Sequence, residues 1–160
     1  MNRIFLLAVV FFLSASAFAQ TAPVKKVYAF EAKTKETDTN VEPDTVKSYP
    51  YRIFLAVDPA KKIEVATVWI GTDYYLFKTK NLPNKPVMAD KSVYGKKTLV
   101  PSTRNKLIEL VLVYKRVPSP RPGRELVRYL SKNEVVISYT CKGVRYYATA
   151  ATVTELVPKN

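Results

Sequence analysis

The feature that most constrains this chain is a two-residue segment, Lys142-Gly143, set between Glu134 to Cys141 and Val144 to Val157. Two runs rich in Val, Ile, Tyr and Thr about a short glycine-bearing turn define an antiparallel hairpin. With Cys141 opposite Val144, Tyr139 meets Tyr146, Ile137 meets Ala148 and Val135 meets Ala150. Ser138, Thr140, Arg145, Tyr147 and Thr149 then share the reverse face. One apolar face and one polar face belong to a sheet that covers a core on one side. Cys141 falls on the core side, where a free cysteine behaves as a small buried hydrophobe.

The same signals recur along the chain. Val24 to Phe30 reads as a first strand, and the polar stretch Glu31 to Ser48 as a long loop. Tyr51 to Val57 and Ile63 to Ile70 are rich in β-branched and aromatic residues and flank Asp58-Pro59-Ala60-Lys61-Lys62, so they are expected to pair as a hairpin. If Asp58 opposes Lys62, then Ile53, Leu55 and Val57 meet Thr67, Val65 and Ile63, with Tyr51 beside Trp69. A slip by one residue would set Leu55 against Glu64. After Gly71-Thr72-Asp73, the run Tyr74 to Lys78 continues a meander. Thr79 to Lys106 has little periodicity and is too long for a simple connector, with room for a short edge strand near Lys85 to Met88. Leu107 to Val117 is apolar on both faces at its centre, as in the middle of a two-layer structure. Pro118 to Gly123 ends it, and Leu126 to Leu130 reads as strand rather than helix by a narrow margin. The whole predicts an all-β fold: an antiparallel β-sandwich or open barrel of about seven or eight strands.

The N-terminus carries Arg3, the apolar run Ile4 to Leu13 and the small-residue ending Ala17-Phe18-Ala19. That order is a signal peptide over 1–19, which leaves a single β-rich domain over 20–160 and predicts a secreted or periplasmic protein without a transmembrane segment. The one cysteine lies far from the cleavage site and has no disulfide partner within the chain, so the core alone must hold the domain together.

Charge is unevenly placed. From Gln20 to Asp73 eight Lys and Arg face eight Asp and Glu, whereas from Tyr74 to Asn160 seventeen face five, a net +12. Such asymmetry points to an anionic polymer or surface as partner. Catalytic options are few. The chain has no histidine and one cysteine, which removes imidazole-dependent nucleophiles and thiolate–imidazole zinc sites, so no metal and no cofactor is expected. The four glycines are isolated, so no phosphate-cradling loop exists. Carboxylate chemistry survives, with Glu109 in an apolar strand and Glu64 as candidates, although a lysine across the strand accounts for Glu109 equally well.

The resulting expectation is an exported, non-enzymatic binding module that engages an anionic surface, an acidic glycan or lipopolysaccharide, through its basic second half. Lys96, Lys97, Arg104 and Lys106 in the long loop, with Arg145 and Tyr147 on the reverse face of the last hairpin, are the candidate ligand-binding residues. The alternatives are an envelope-associated protein-interaction domain and a small carboxylate-dependent hydrolase. Nucleic acid is not an expected partner.

Overall fold

The computed structural model describes residues 22–33, 50–116 and 121–159, with 114–116 described by backbone alone. The signal-peptide reading of 1–19 and most of the expected 31–48 loop lie outside these residues. Among the described residues there are ten strands: β1 (Val24–Ala32), β2 (Tyr51–Val57), β3 (Glu64–Ile70), β4 (Asp73–Leu82), β5 (Val87–Met88), β6 (Thr98–Val100), β7 (Lys106–Arg116), β8 (Val135–Cys141), β9 (Val144–Ala150) and β10 (Thr154–Leu156). The helices α1 (Lys91–Tyr94) and α2 (Arg124–Leu130) lie among the described residues with them.

Eight strands form one sheet in the order β10-β1-β2-β7-β4-β3-β8-β9, and β5 pairs with β6 alone. The sheet is curled, and chain length shows how far. β9 and β10 lie at opposite edges, yet only residues 151–153 connect them. A connection that short reaches no more than about 14 Å at about 3.5 Å per residue, so the two edges must approach each other. β10 then runs parallel to β1, with Phe30 beside Thr154 and Ala32 beside Leu156. The run read from sequence as one strand, Val144 to Val157, is therefore two, and the break lets the chain pass from one edge of the half-barrel to the other.

The concave face is the main core. Ile53, Leu55, Val57, Val68, Ile70, Ile108, Leu110, Leu112, Val135, Ile137 and Tyr139 all point there. The hairpin about Lys142-Gly143 forms in the expected register, from Cys141 opposite Val144 to Val135 opposite Ala150, and Cys141 is buried. The meander expected after Ile70 also forms and joins β3 to β4, with Asp73, expected in the break, already paired opposite Ile70 as the first residue of β4.

A second apolar cluster lies on the convex face, where Phe30, Phe54, Leu107 and Leu156 are covered by Ala89, Leu99 and Val100. The 79–106 stretch, aperiodic in sequence, supplies that cover. It continues β4 to Leu82, forms the β5–β6 pair with α1 between, and buries its few apolar residues.

Three expectations are corrected. β2 and β3 do not pair: β2 lies between β1 and β7, and β3 between β4 and β8. Both present apolar residues to the same interior, so a matching pattern arises across the barrel as readily as across a ladder. A bulge between Val65 and Thr67 also inverts the alternation of β3. Val68 and Ile70 face the core, while Trp69 lies opposite Val136 on the convex side. Finally, Arg124–Leu130 is a helix. Gly123 is its extended N-cap, Glu125 and Arg128 lie at the ends that suit their charge, and Tyr129 stacks on Tyr147 at 4.7 Å.

Candidate functional site

The β2–β3 connection, 58–63, crosses one end of the half-barrel. Strand directions alternate through β2, β7, β4 and β3, so the end of β2, the start of β7, the end of β4 and the start of β3 meet there. The crossing is tied down at its start: the Asp58 N–H donates to the Pro23 carbonyl at 2.9 Å, and the Lys61 N–H donates to the Asp58 carbonyl at 3.0 Å. Asp58 is thus a turn residue, as its surroundings in sequence suggested.

Below this crossing the wall of the barrel is split. β3 and β4 pair only at Val68–Ile70 against Asp73–Tyr75. Beyond that point β4 stays with β7 up to Leu82, while β3 stays with β8 up to Glu64. The two strands diverge and leave a cleft of about 770 Å³. Val57, Ile63, Val65, Phe77 and Ile108 form its apolar side, with Thr79 and Asn81 toward the opening. Four lysines, Lys61, Lys62, Lys78 and Lys106, border it together with one carboxylate, Glu64. The rim therefore carries a formal excess of three positive charges.

Of the residues singled out from sequence, the structure brings Lys106 to this cleft. Arg104 lies two residues before it, in the approach to β7, and is exposed. Lys96 and Lys97 are exposed on the link from α1 to β6, on the convex cover. Arg145 is exposed on β9 opposite Thr140, and Tyr147 is half-buried against Tyr129. These do not form one cluster. Lys61 and Lys62, which read as turn residues, and Lys78, which read as an ordinary strand residue, were not singled out. The adjacent lysine pair was the available signal, but only the failure of β2 to pair with β3 makes it a rim.

The two candidate carboxylates do not share the cleft. Glu109 is on the convex side of β7, opposite Phe54 of β2, and its Oε1 accepts from Arg52 Nη2 at 2.9 Å and Nε at 3.2 Å. Glu64 borders the cleft with no second acid among the described lining residues. Among the described residues no group of three or more His, Cys, Asp or Glu converges in a way that would hold a metal ion, and no helix is long and apolar enough to cross a membrane.

The fold and cleft define an open β-barrel with a basic lateral opening. Compared with protein-family models, curated proteins and solved structures, the chain matches none.

Proposed function

We propose that this chain is an exported, non-enzymatic β-barrel module that binds an anionic polymer at the cleft between β3 and β4. The observation that carries the reading is the convergence of Lys61, Lys62, Lys78 and Lys106, from three separate segments, on a cavity with Glu64 as the one acid among its described lining residues. Like charges are gathered at one place only against mutual repulsion, and a low-dielectric floor of Val57, Ile63, Phe77 and Ile108 strengthens the field they present to an anion. Export rests on the charged, apolar and small-residue order at the N-terminus. The non-enzymatic part rests on the surroundings of the carboxylates: Glu109 is ion-paired with Arg52 and does not line the cleft, and Glu64 has no second acid among the described lining residues, whereas hydrolysis by two acids needs them within roughly 10 Å of one another across a substrate.

Retention on immobilised polygalacturonate and polyglutamate across a salt series tests the reading. A Lys61→Glu/Lys62→Glu/Lys106→Glu variant should bind at least about tenfold more weakly than wild type at low salt, since exposed ionic contacts are each modest but add at one site. A Lys96→Glu/Lys97→Glu/Arg104→Glu variant should change affinity much less. Equal, salt-independent retention of all three proteins would refute the cleft reading and favour a salt-tolerant protein-interaction role.

A further inference from the structure

We propose that the split between β3 and β4 accepts an extended, acidic polypeptide segment, which completes the barrel wall by strand addition. The inference rests on the cleft as the binding site and narrows its ligand.

The argument begins with the ladders. On its β7 side β4 is paired along its length, from Tyr74 with Arg116 to Leu82 with Leu107. On its β3 side pairing stops at Tyr75. The residues Leu76–Leu82 therefore face Glu64–Thr67 across the cleft, and among the described residues no ladder joins them. Two open strand edges on either side of one cavity present rows of N–H and C=O groups, the template to which an extended peptide adds. Strands rise about 3.3 Å per residue, so five to seven guest residues would match the edge of β4.

The side chains along the cleft specify the guest. Phe77 packs on the concave core and, with Val65, Ile63 and Ile108, forms the apolar floor of that side, with Thr79 and Asn81 of β4 next to it. Lys78 sits opposite the exposed Val111, on the convex side of β4. A guest strand in the split would turn alternate residues inward onto the apolar floor and the others outward toward Lys78, with Lys61, Lys62 and Lys106 at the open end. Alternating apolar and acidic residues meet both demands. A glycan meets only the second: it carries no repeating N–H and C=O to satisfy the edges. Phe77, the one ring among the described lining residues, is half-buried rather than exposed for stacking on a sugar.

The test uses the full chain with a capped nonapeptide of alternating valine and glutamate, two versions N-methylated on alternate amides, one for each edge, and polygalacturonate. Calorimetry should show the unmethylated peptide binding, and at least one methylated version should bind about tenfold or more weakly, because each blocks several ladder hydrogen bonds without altering charge. Amide exchange within Leu76–Leu82 should slow on binding. Equal affinity of all three peptides, or unchanged exchange there, overturns strand addition; the cleft reading then stands if the Lys61/Lys62/Lys106 variant still loses polygalacturonate. Failure of wild type to bind either probe at low salt overturns both.

Discussion

Arg52 and Glu109 form a two-point contact on the convex face of the sheet, with both Nε and Nη2 of the guanidinium donating to the same carboxylate oxygen, Oε1. The guanidinium also lies over the Phe54 ring, 5.0 Å from its centroid. An acid set in an apolar strand is thereby matched by a cation from the neighbouring strand. The Glu109 side chain is 13% exposed and that of Arg52 is 37% exposed, so the pair is only partly screened by water.

Removing Arg52 should therefore cost more than removing a surface ion pair. Arg52→Ala is expected to destabilise the domain by about 1–3 kcal/mol, because Glu109 is left partly buried without its donors and Phe54 loses a cover. Glu109→Gln, which keeps shape and can still accept a hydrogen bond, should cost less. Urea unfolding of both variants is the measurement. An Arg52→Ala loss no greater than that of Glu109→Gln would mean the pair is a surface contact.

The turn that organises the last hairpin carries a removable cost. Lys142 has φ 51° and Gly143 φ 77°, so both central residues adopt the left-handed conformation of a type I′ turn. Glycine takes this at no steric cost, whereas lysine does not. Lys142→Asn should stabilise the domain by about 0.5–1 kcal/mol, and Gly143→Val should destabilise it by about 1–2 kcal/mol. Thermal midpoints of the two variants should move in opposite directions.

Tyr139 gives the domain an alkaline limit. Its side chain is almost fully buried and stacked on Tyr146 at 5.5 Å, and its hydroxyl accepts from the Val24 N–H at 3.4 Å. Burial raises its pKa above the ordinary phenol value, an effect partly offset by that backbone donor. A raised folded-state pKa means the neutral form is favoured in the native protein. The associated stability is thus fully present below the unfolded value of about 10 and is lost as pH rises through the folded value. Stability should fall above about pH 10, and Tyr139→Phe should flatten that fall while costing stability at neutral pH. Denaturant midpoints of both proteins from pH 8 to 11 decide it, and an unchanged alkaline slope in the variant would assign the loss elsewhere.

Cys141 is 6% exposed at the end of β8, on the side of the sheet that carries Tyr139. The domain should migrate as one species with or without reductant, and a thiol reagent should react at the rate of unfolding rather than within mixing time. Rapid modification of the native protein would show that the hairpin end opens locally.

What the sequence determined by itself was local. Lys142-Gly143 joins strands through two residues, so turn chemistry and alternation were enough to give the register of that hairpin, the burial of Cys141 and the placing of Arg145 and Tyr147 on the convex face, and Gly71-Thr72 was enough to mark the passage from β3 to β4. The all-β class followed from many such runs. Tertiary structure decided the rest, because inward-facing apolar residues do not state which strand they meet. Ile53, Leu55 and Val57 match Ile63 and Val65 in pattern, yet β7 and β4 come between them. The bulge after Val65 placed Trp69 on the other face, an inversion that alternation cannot reveal. Leu126, Val127 and Leu130 suit one helical face and the segment also suits a strand; contact with β8 goes with the helix, which leaves Val127 exposed. The cleft was the least legible feature. It exists because β3 follows β8 and β4 follows β7 beyond Tyr75, which carries Lys61 and Lys62 to the same opening as Lys78 and Lys106.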